Sequence, residues 1–262
     1  MLRRLEIKKP KDTCVRWFAD VPWLAGRKEV VFQPGVSIVV GPNGSGKSTL
    51  LVALARMLHC EQGGVQKVTS ESVANCTARS REKTLIPKGL VLEHDGSPVM
   101  FADPNKATGL IGGLAGFDSD FFSEGVASVM FKGSFGQTTL QRLTPVLDCL
   151  AGGKAVPVVE WKCHLHQEDV KAAIQAVLGE VPESPIPTLL LDEPTRGLDI
   201  DKEYVFWAKL NDWVKSSNVQ VVVASHSMFC YNVKDAHYIE TVDGFRERVR
   251  DYLFANYREV AQ

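Results

Sequence analysis

The sequence lacks the features of a membrane-spanning or exported protein. It has no apolar run of about eighteen residues, which is the length that a spanning helix needs. It also has no apolar signal region near residue 1. We therefore expect a cytoplasmic location and no membrane insertion of the chain itself.

Charge excess, close cysteine pairs and repeats are missing as well. Thirty basic residues face thirty-one acidic ones, so the net charge of −1 gives no bulk attraction to nucleic acid or to a membrane surface. The six cysteines are scattered, without the close pairs typical of a disulfide framework or a zinc site, which favours reduced thiols. No internal repeat or heptad run predicts a solenoid or a coiled coil.

What the chain does have is enough apolar material for one large core. It is 262 residues long and 45% hydrophobic, which suits a single domain over residues 1–262. Apolar runs that read as strands alternate with helical patterns, and this order predicts an α/β fold with a parallel sheet.

Residues 41–49 read GPNGSGKST and match the phosphate-binding loop pattern at every required position. A strand-like run at 36–40 precedes them and a helical pattern follows, so the loop is expected at a helix N-terminus, which favours phosphate. Lys47 is predicted to meet the β- and γ-phosphate charge, and the Ser48 hydroxyl to bind Mg²⁺. The predicted ATP-binding residues are Gly41, Pro42, Asn43, Gly44, Ser45, Gly46, Lys47, Ser48 and Thr49.

A second segment, residues 188–199, reads TLLLDEPTRGLD. Its apolar run is typical of a parallel strand whose carboxyl end faces a nucleotide crevice. Asp192 is the predicted Mg²⁺ ligand, and Glu193 the predicted catalytic residue that polarises the attacking water. Together the two segments predict binding and hydrolysis of Mg-ATP.

With three further motifs in the same order, the chain resembles the ATP-binding cassette (ABC) ATPases. These motifs are Gly197-Leu198-Asp199, the segment VVVASHS ending at 227, and Ser134-Phe-Gly136-Gln137, which is similar to the end of an LSGGQ signature. The resemblance implies that His226 contacts the γ-phosphate and that Asp199 lies at a subunit interface. It also implies that Ser134, Gly136 and Gln137 cap the nucleotide of the partner subunit. Taken alone, His226 is better interpreted as a strand-end histidine, and 134–137 could be an ordinary helix start.

The fold that this resemblance implies is a P-loop NTPase with an ABC-type core, a mixed or parallel sheet flanked by helices, and a signature lobe inserted at 105–184. The active form would be a head-to-tail dimer, either a homodimer or a pair with a related ATPase subunit, with ATP between the subunits. Residues 138–187 look like an insertion of unknown role. Transport-type cassettes usually have glutamine where this chain has Ala102, so either another residue such as Asp103 or Asn105 takes that role or the coupling element is altered.

Several local expectations accompany this reading. Residues 90–92 and 99–101, separated by Asp95-Gly96, predict a β-hairpin. The basic first segment is expected to be a solvated strand edge, with a nucleic-acid contact as the alternative. Trp17, Phe18 and Trp23 are candidates for stacking on adenine, although core packing is an open alternative for each.

The sequence is compatible with more than one hypothesis for the process that hydrolysis would drive. The first hypothesis is a soluble process with an unidentified protein or nucleic-acid partner, such as nucleic-acid repair or defence. The alternative is the nucleotide-binding subunit of a transporter whose membrane domain is a separate chain. A binding switch with negligible turnover is disfavoured by Glu193 and His226.

Overall fold

A computed structural model of the chain describes residues 1–8, 21–58, 60, 89–97, 99–102 and 182–260. The predicted signature residues Ser134, Gly136 and Gln137 lie outside the described residues. So does the predicted lobe 105–184, apart from its last three residues, and so do Trp17 and Phe18.

Strands and helices are interspersed along the described part of the chain, as the sequence pattern predicts. In chain order they are β1 (Leu2–Ile7), α1 (Pro22–Ala25), β2 (Glu29–Val31), β3 (Val36–Val40), α2 (Lys47–Met57), β4 (Leu90–His94), β5 (Val99–Ala102), β6 (Thr188–Asp192), α3 (Ile200–Ser217), β7 (Gln220–Ala224), a 3₁₀ turn (Met228–Asn232), β8 (His237–Glu240) and α4 (Phe245–Val260). None of the helices in this described part of the chain is long and apolar enough to cross a membrane.

The main sheet is parallel and has the strand order β5-β6-β7-β3-β8. Every residue of β3, β6 and β7 is buried, as expected for parallel strands that are covered on both faces. The predicted α/β fold with a P-loop NTPase core is confirmed.

Side chains alternate between the two faces of this sheet; among the described helices, α2 packs against one face and α3 against the other. On one face Val39 and Leu190 share a core with Leu50 and Leu54 of α2. The opposite face packs against α3. The sheet contributes Ile38, Leu189, Leu191, Val221 and Val223 to this second core, and α3 contributes Phe206, Trp207 and Leu210. Burying each large apolar side chain contributes roughly 1.5–3 kcal/mol, so these two layers hold the sheet edge that carries the site.

The β-hairpin prediction for residues 90–101 is wrong. β4 pairs with β1 in a separate antiparallel sheet of order β2-β1-β4, whereas β5 pairs with β6 in the main sheet. The two strands differ in burial, and this places them in different sheets. Val91 and Glu93 of β4 face solvent, as in a sheet with one exposed face, whereas Val99 to Phe101 of β5 are buried in the main sheet. Between them Ser97 donates its backbone N–H to Asp95 Oδ1 (2.9 Å), and this turn redirects the chain.

The expectation of a solvated strand edge at the first segment is also wrong. β1 is the middle strand of its sheet, so its backbone is paired on both sides. Its exposed arginines contact acidic residues of the two neighbouring strands. Arg4 lies 3.4 Å from Glu29 and 3.3 Å from Glu93, and Arg3 lies 3.9 Å from Glu93.

Buried Gln220 joins the two sheets. Its Oε1 accepts hydrogen bonds from the N–H of Leu2 (2.8 Å) and the hydroxyl of Thr188 (2.9 Å). Its Nε2 donates to the carbonyls of Leu2 (2.7 Å) and Gln33 (3.0 Å). Because this amide is satisfied on both sides, its burial costs little and fixes the small sheet against the amino-terminal ends of β6 and β7.

Candidate active site

The predicted motifs meet at the carboxyl ends of three adjacent strands, β6, β7 and β3. The phosphate loop follows β3, the Asp-Glu pair closes β6, and His226 follows β7. This is the edge at which open α/β sheets bind ligands.

The phosphate loop connects β3 to α2, and its last glycine is required there. Gly46 is the residue before α2 and has φ of +93°, in the left-handed region that glycine adopts at least cost. A Cβ at this position would lie 2.5 Å from Val21 Cγ1. The Gly46 carbonyl accepts the Leu50 N–H at 3.0 Å, so the helix begins directly from the loop and points its N-terminus at the crevice.

Lys47 is the buried cation of the site, with 6% of its surface exposed. Its Nζ donates to the carbonyls of Gly41 (3.0 Å) and Pro42 (3.1 Å). Burial lowers the pKa of this ammonium, and the nearby carboxylates of Glu193 and Asp192 offset part of that effect. The two carboxylates therefore offset only part of the cost of burying the positive charge of Lys47, which favours the binding of an anion beside the ammonium.

Ser48 and Asp192 bring the two motifs into contact. The Ser48 hydroxyl donates to Asp192 Oδ1 at 2.9 Å across a sequence separation of 144 residues. A hydroxyl and a carboxylate are the hard oxygen ligands that Mg²⁺ prefers. These two residues therefore fit the predicted metal site.

Glu193 has an unusual backbone and a well-defined partner. Its φ is +49°, a left-handed conformation that is uncommon for a residue with a side chain and often occurs at functional sites. Its N–H donates to the Ala224 carbonyl (2.9 Å), which holds that turn against β7. The Nδ1 atom of His226 lies 2.7 Å from Glu193 Oε1.

Ser225 is a contact of Glu193 to which the sequence motifs assign no role. Its hydroxyl is fully buried, lies 3.5 Å from Glu193 Oε2 and accepts the Ser227 N–H at 3.0 Å. The backbone N–H of His226 lies 3.4 Å from the same carboxylate oxygen, Glu193 Oε2. The sequence signal for this contact with the Glu193 carboxylate is that Ser225 directly precedes the predicted histidine.

Asp199 lies apart from this cluster of contacts. It immediately precedes α3, and 72% of its side chain is exposed, with Lys202 at 2.6 Å. Neighbouring apolar side chains are exposed too, among them Ile200 at 70%. Its predicted place at a subunit interface stays a prediction.

Trp23 is the described member of the three aromatic candidates. Its ring packs against the core beside α2, and its Nε1 lies 3.3 Å from the position that a Cβ on Gly46 would take. The Arg27 guanidinium lies over the ring, 5.3 Å from its centroid. Trp23 therefore lies beside the phosphate loop, and stacking on adenine stays a prediction for it.

Comparisons with known proteins agree with the motifs. A family model described as "ABC transporter" matches residues 31–108, which include the phosphate loop. The comparison with curated proteins found no match.

Three solved structures are similar to this chain at low sequence identity. A nucleotide-free ATP-binding cassette from an ABC transporter is 13% identical, with 81% of this chain and 80% of that chain covered and a TM-score of 0.36. The cbiO1 protein of Clostridium perfringens, part of the ABC transporter complex cbiONQ, is 16% identical (81% and 76% covered, TM-score 0.33). A putative ABC transporter ATP-binding protein from Pyrococcus furiosus is 14% identical (91% and 97% covered, TM-score 0.33).

Proposed function

We propose that this chain, which belongs to the ATP-binding cassette (ABC) ATPases, binds Mg-ATP at the carboxyl edge of its parallel sheet and hydrolyses it. The observation that carries this proposal is the meeting of the two motifs. Ser48 contacts Asp192 at 2.9 Å, and Glu193 contacts His226 at 2.7 Å, at the ends of adjacent strands beside the buried Lys47. A cation, a pair of metal ligands and a candidate base in one crevice suit phosphoryl transfer to water.

Each residue has a separate task in this mechanism. Lys47 and the N-terminus of α2 would bind the phosphates, and Ser48 and Asp192 would hold Mg²⁺. A metal bound there would supply positive charge that stabilises the negative charge of the phosphates. Glu193 orients the attacking water and takes up its proton, and His226 holds Glu193 and faces the γ-phosphate.

A second copy of the chain, or a related ATPase subunit, completes the site. Asp199 and Ile200 are exposed at the start of α3, and Met228 is 51% exposed beside it in the 3₁₀ turn. A contiguous exposed apolar patch that is rimmed by polar residues is typical of an interface. Ser134, Gly136 and Gln137 of the partner copy would cap the nucleotide there.

The main function candidate is a soluble process with an unidentified protein or nucleic-acid partner. Backbone pairing places Ala102 at the end of β5, opposite Leu191. Transport-type cassettes usually have a glutamine at the corresponding position, and alanine has no hydrogen-bonding side chain for that coupling role. Nucleic acid is the weaker choice of partner, because Arg3 and Arg4 already contact Glu93 and Glu29.

The second candidate is the nucleotide-binding subunit of a transporter with separate membrane chains. The description of the matching family favours it. One experiment separates the two candidates. ATP hydrolysis by the parent protein is measured alone and with single- or double-stranded DNA or RNA. In parallel, Glu193→Gln protein held in ATP is used to purify partners from soluble and detergent-solubilised cell fractions, and hydrolysis by the parent is measured again with the partners recovered.

A permease recovered from the membrane fraction and absent with Lys47→Ala protein would establish transport. Stimulation of hydrolysis by nucleic acid would establish the repair or defence role. Failure of the parent protein to hydrolyse Mg-ATP at all, with or without any partner recovered, would contradict the enzyme proposal itself.

A further inference from the structure

Thr241 lies at the root of the phosphate loop, although it is 200 residues away from Gly41 in sequence. It follows β8, which pairs in parallel with β3, the strand that leads into the loop. Its backbone N–H donates to the Val40 carbonyl at 2.9 Å, and only 4% of its surface is exposed. The sheet therefore fixes the position of Thr241 immediately beside the loop.

The side chain of Thr241 contacts the loop at two places. Its Oγ1 donates a hydrogen bond to the Ser45 Oγ at 2.8 Å. The same hydroxyl occupies the space beside Gly41, where a Cβ would overlap with it and would lie 3.0 Å from Ser45 Oγ. One hydroxyl thus packs against the first residue of the loop and is bonded to the fifth.

We infer that Thr241 is a positioning residue for phosphate binding, an inference that rests on the proposed function. A hydroxyl has one proton to donate and two lone pairs that accept. Because Thr241 donates to Ser45, the Ser45 hydroxyl keeps its own proton for a phosphate oxygen. The bond also holds Ser45 in one rotamer before the nucleotide arrives, and such preorganisation improves affinity.

Loss of this one bond is expected to weaken binding without unfolding the protein. Thr241→Val replaces the hydroxyl by a methyl group of similar shape, so the packing against Gly41 is kept while the hydrogen bond is lost. A net hydrogen bond of about 1 kcal/mol corresponds to a roughly 5-fold change in an equilibrium constant. We expect Thr241→Val to weaken Mg-ATP affinity roughly 3- to 10-fold, and Thr241→Ser, which keeps the hydroxyl, to stay within about twofold of the parent.

Thr188→Val is the matched control. Thr188 is fully buried and also donates its hydroxyl at 2.9 Å, but to Gln220 at the amino-terminal end of the sheet. The Thr188→Val variant therefore also loses one buried hydroxyl hydrogen bond, but at the end of the sheet opposite the phosphate loop. It should lower the thermal unfolding midpoint about as much as Thr241→Val while leaving Mg-ATP affinity within about twofold of the parent.

The test is a calorimetric titration of the full chain with Mg-ATP, together with thermal unfolding of the nucleotide-free protein. Ser45→Ala and the double variant with Thr241→Val complete a cycle. If Thr241 acts through Ser45, the Thr241→Val change should cost no further affinity once Ser45 is alanine. Thr241→Cys, whose thiol is a weak donor, replaces the valine variant if that one does not fold.

Three outcomes would overturn the inference alone. The first is a Thr241→Val affinity equal to that of a parent that binds Mg-ATP, and the second is an additive effect of the two changes in the cycle. Equal losses of affinity in Thr188→Val and Thr241→Val would overturn it too, because the loss would then follow stability rather than position. A parent that gives no Mg-ATP binding signal would overturn the proposed function and this inference together.

Discussion

Glu193 and His226 face each other because of the register of two parallel strands. Asp192, the last residue of β6, pairs with Ala224, the last residue of β7, so the residues that follow leave the sheet side by side. His226 Nδ1 reaches Glu193 Oε1 at 2.7 Å, and the buried Ser225 hydroxyl lies under the other carboxylate oxygen. The distance between these two candidate catalytic residues is therefore fixed by backbone hydrogen bonds rather than by a mobile loop.

Glu193→Gln should separate chemistry from binding. Glutamine keeps the size and hydrogen-bonding capacity of the side chain but cannot take up a proton from water. Turnover should fall roughly 10²-fold or more while Mg-ATP affinity persists. Steady-state phosphate release and calorimetry measure the two quantities, with Glu247→Gln on the exposed face of α4 as the control. Parent-rate hydrolysis by Glu193→Gln would exclude Glu193 as the base.

Lys47→Ala should abolish Mg-ATP binding. The ammonium is buried and bonded to the Gly41 and Pro42 carbonyls, so it is held within the loop that must receive the phosphates. Its removal leaves the β- and γ-phosphate charge without its main cationic partner. Calorimetric titration beside Lys209→Ala, an exposed lysine of α3, tests this. An affinity within about twofold of the parent would refute the phosphate-loop assignment, since even a tenfold loss corresponds to only 1.4 kcal/mol.

Ser225→Ala should lower turnover with little effect on binding. The alanine removes the buried hydroxyl beside Glu193 Oε2 and also the acceptor of the Ser227 N–H. With one restraint fewer on the carboxylate, we expect turnover to fall roughly 3- to 10-fold at unchanged Mg-ATP affinity. Ser225→Thr, which keeps the hydroxyl, should restore most of the rate. Equal losses in both variants would indicate a packing defect instead.

The sequence predicted the parts of the site that lie next to a strand end. Each predicted residue follows a recognisable apolar run, and parallel pairing then brings the carboxyl ends of the three strands together. These residues are Lys47, Ser48, Asp192, Glu193 and His226. Their roles in ATP chemistry remain predictions, as do the signature residues and the 105–184 lobe outside the described residues.

Contacts between distant segments were not predictable in this way. Thr241 meets Ser45 only because β8 joins the sheet beside β3, and strand order is not written in local periodicity. The hairpin prediction failed for the same reason: a turn sequence specifies a change of direction but not which sheet receives the next strand.

Acidification should destabilise the fold through His94. Burial lowers the pKa of His94 to about 4, whereas an unperturbed histidine titrates near ~6.5. Among the described residues, its Nε2 atom has no hydrogen-bond partner, and its Nδ1 accepts the Gly96 N–H at 3.1 Å. Both observations favour the neutral ring.

The sign of the effect follows from proton uptake by the two states. Below about pH 6.5 the unfolded chain gains a proton that folded His94 refuses until about pH 4, so the stability that the neutral ring supplies is complete above this window and is lost as the pH falls through it. His94→Asn keeps an acceptor for the Gly96 N–H and removes the titration. Thermal unfolding midpoints between about pH 7 and 4.5 should therefore fall more steeply for the parent than for His94→Asn. Parallel curves would exclude His94 as the sensitive group.

The composite site is tested most directly by a dimerisation experiment on Glu193→Gln protein. If Ser134, Gly136 and Gln137 cap the nucleotide of the partner, ATP must join chains that are mainly monomeric without it, and blocked hydrolysis should trap that dimer. Ser134→Arg places a bulky side chain where the phosphate must approach. It should prevent dimerisation while leaving ATP binding to the monomer largely intact.

Size exclusion coupled to light scattering distinguishes the outcomes, with calorimetry on the same samples to establish that ATP still binds. Ile200→Lys offers an independent variant from the described surface, because Ile200 is 70% exposed beside Asp199 and should be covered when the dimer forms. Both changes should reduce the dimer fraction of Glu193→Gln protein in ATP. A Ser134→Arg variant that still dimerises with ATP would mean that residues 134–137 take no part in a shared site, and that each chain must complete its own nucleotide site.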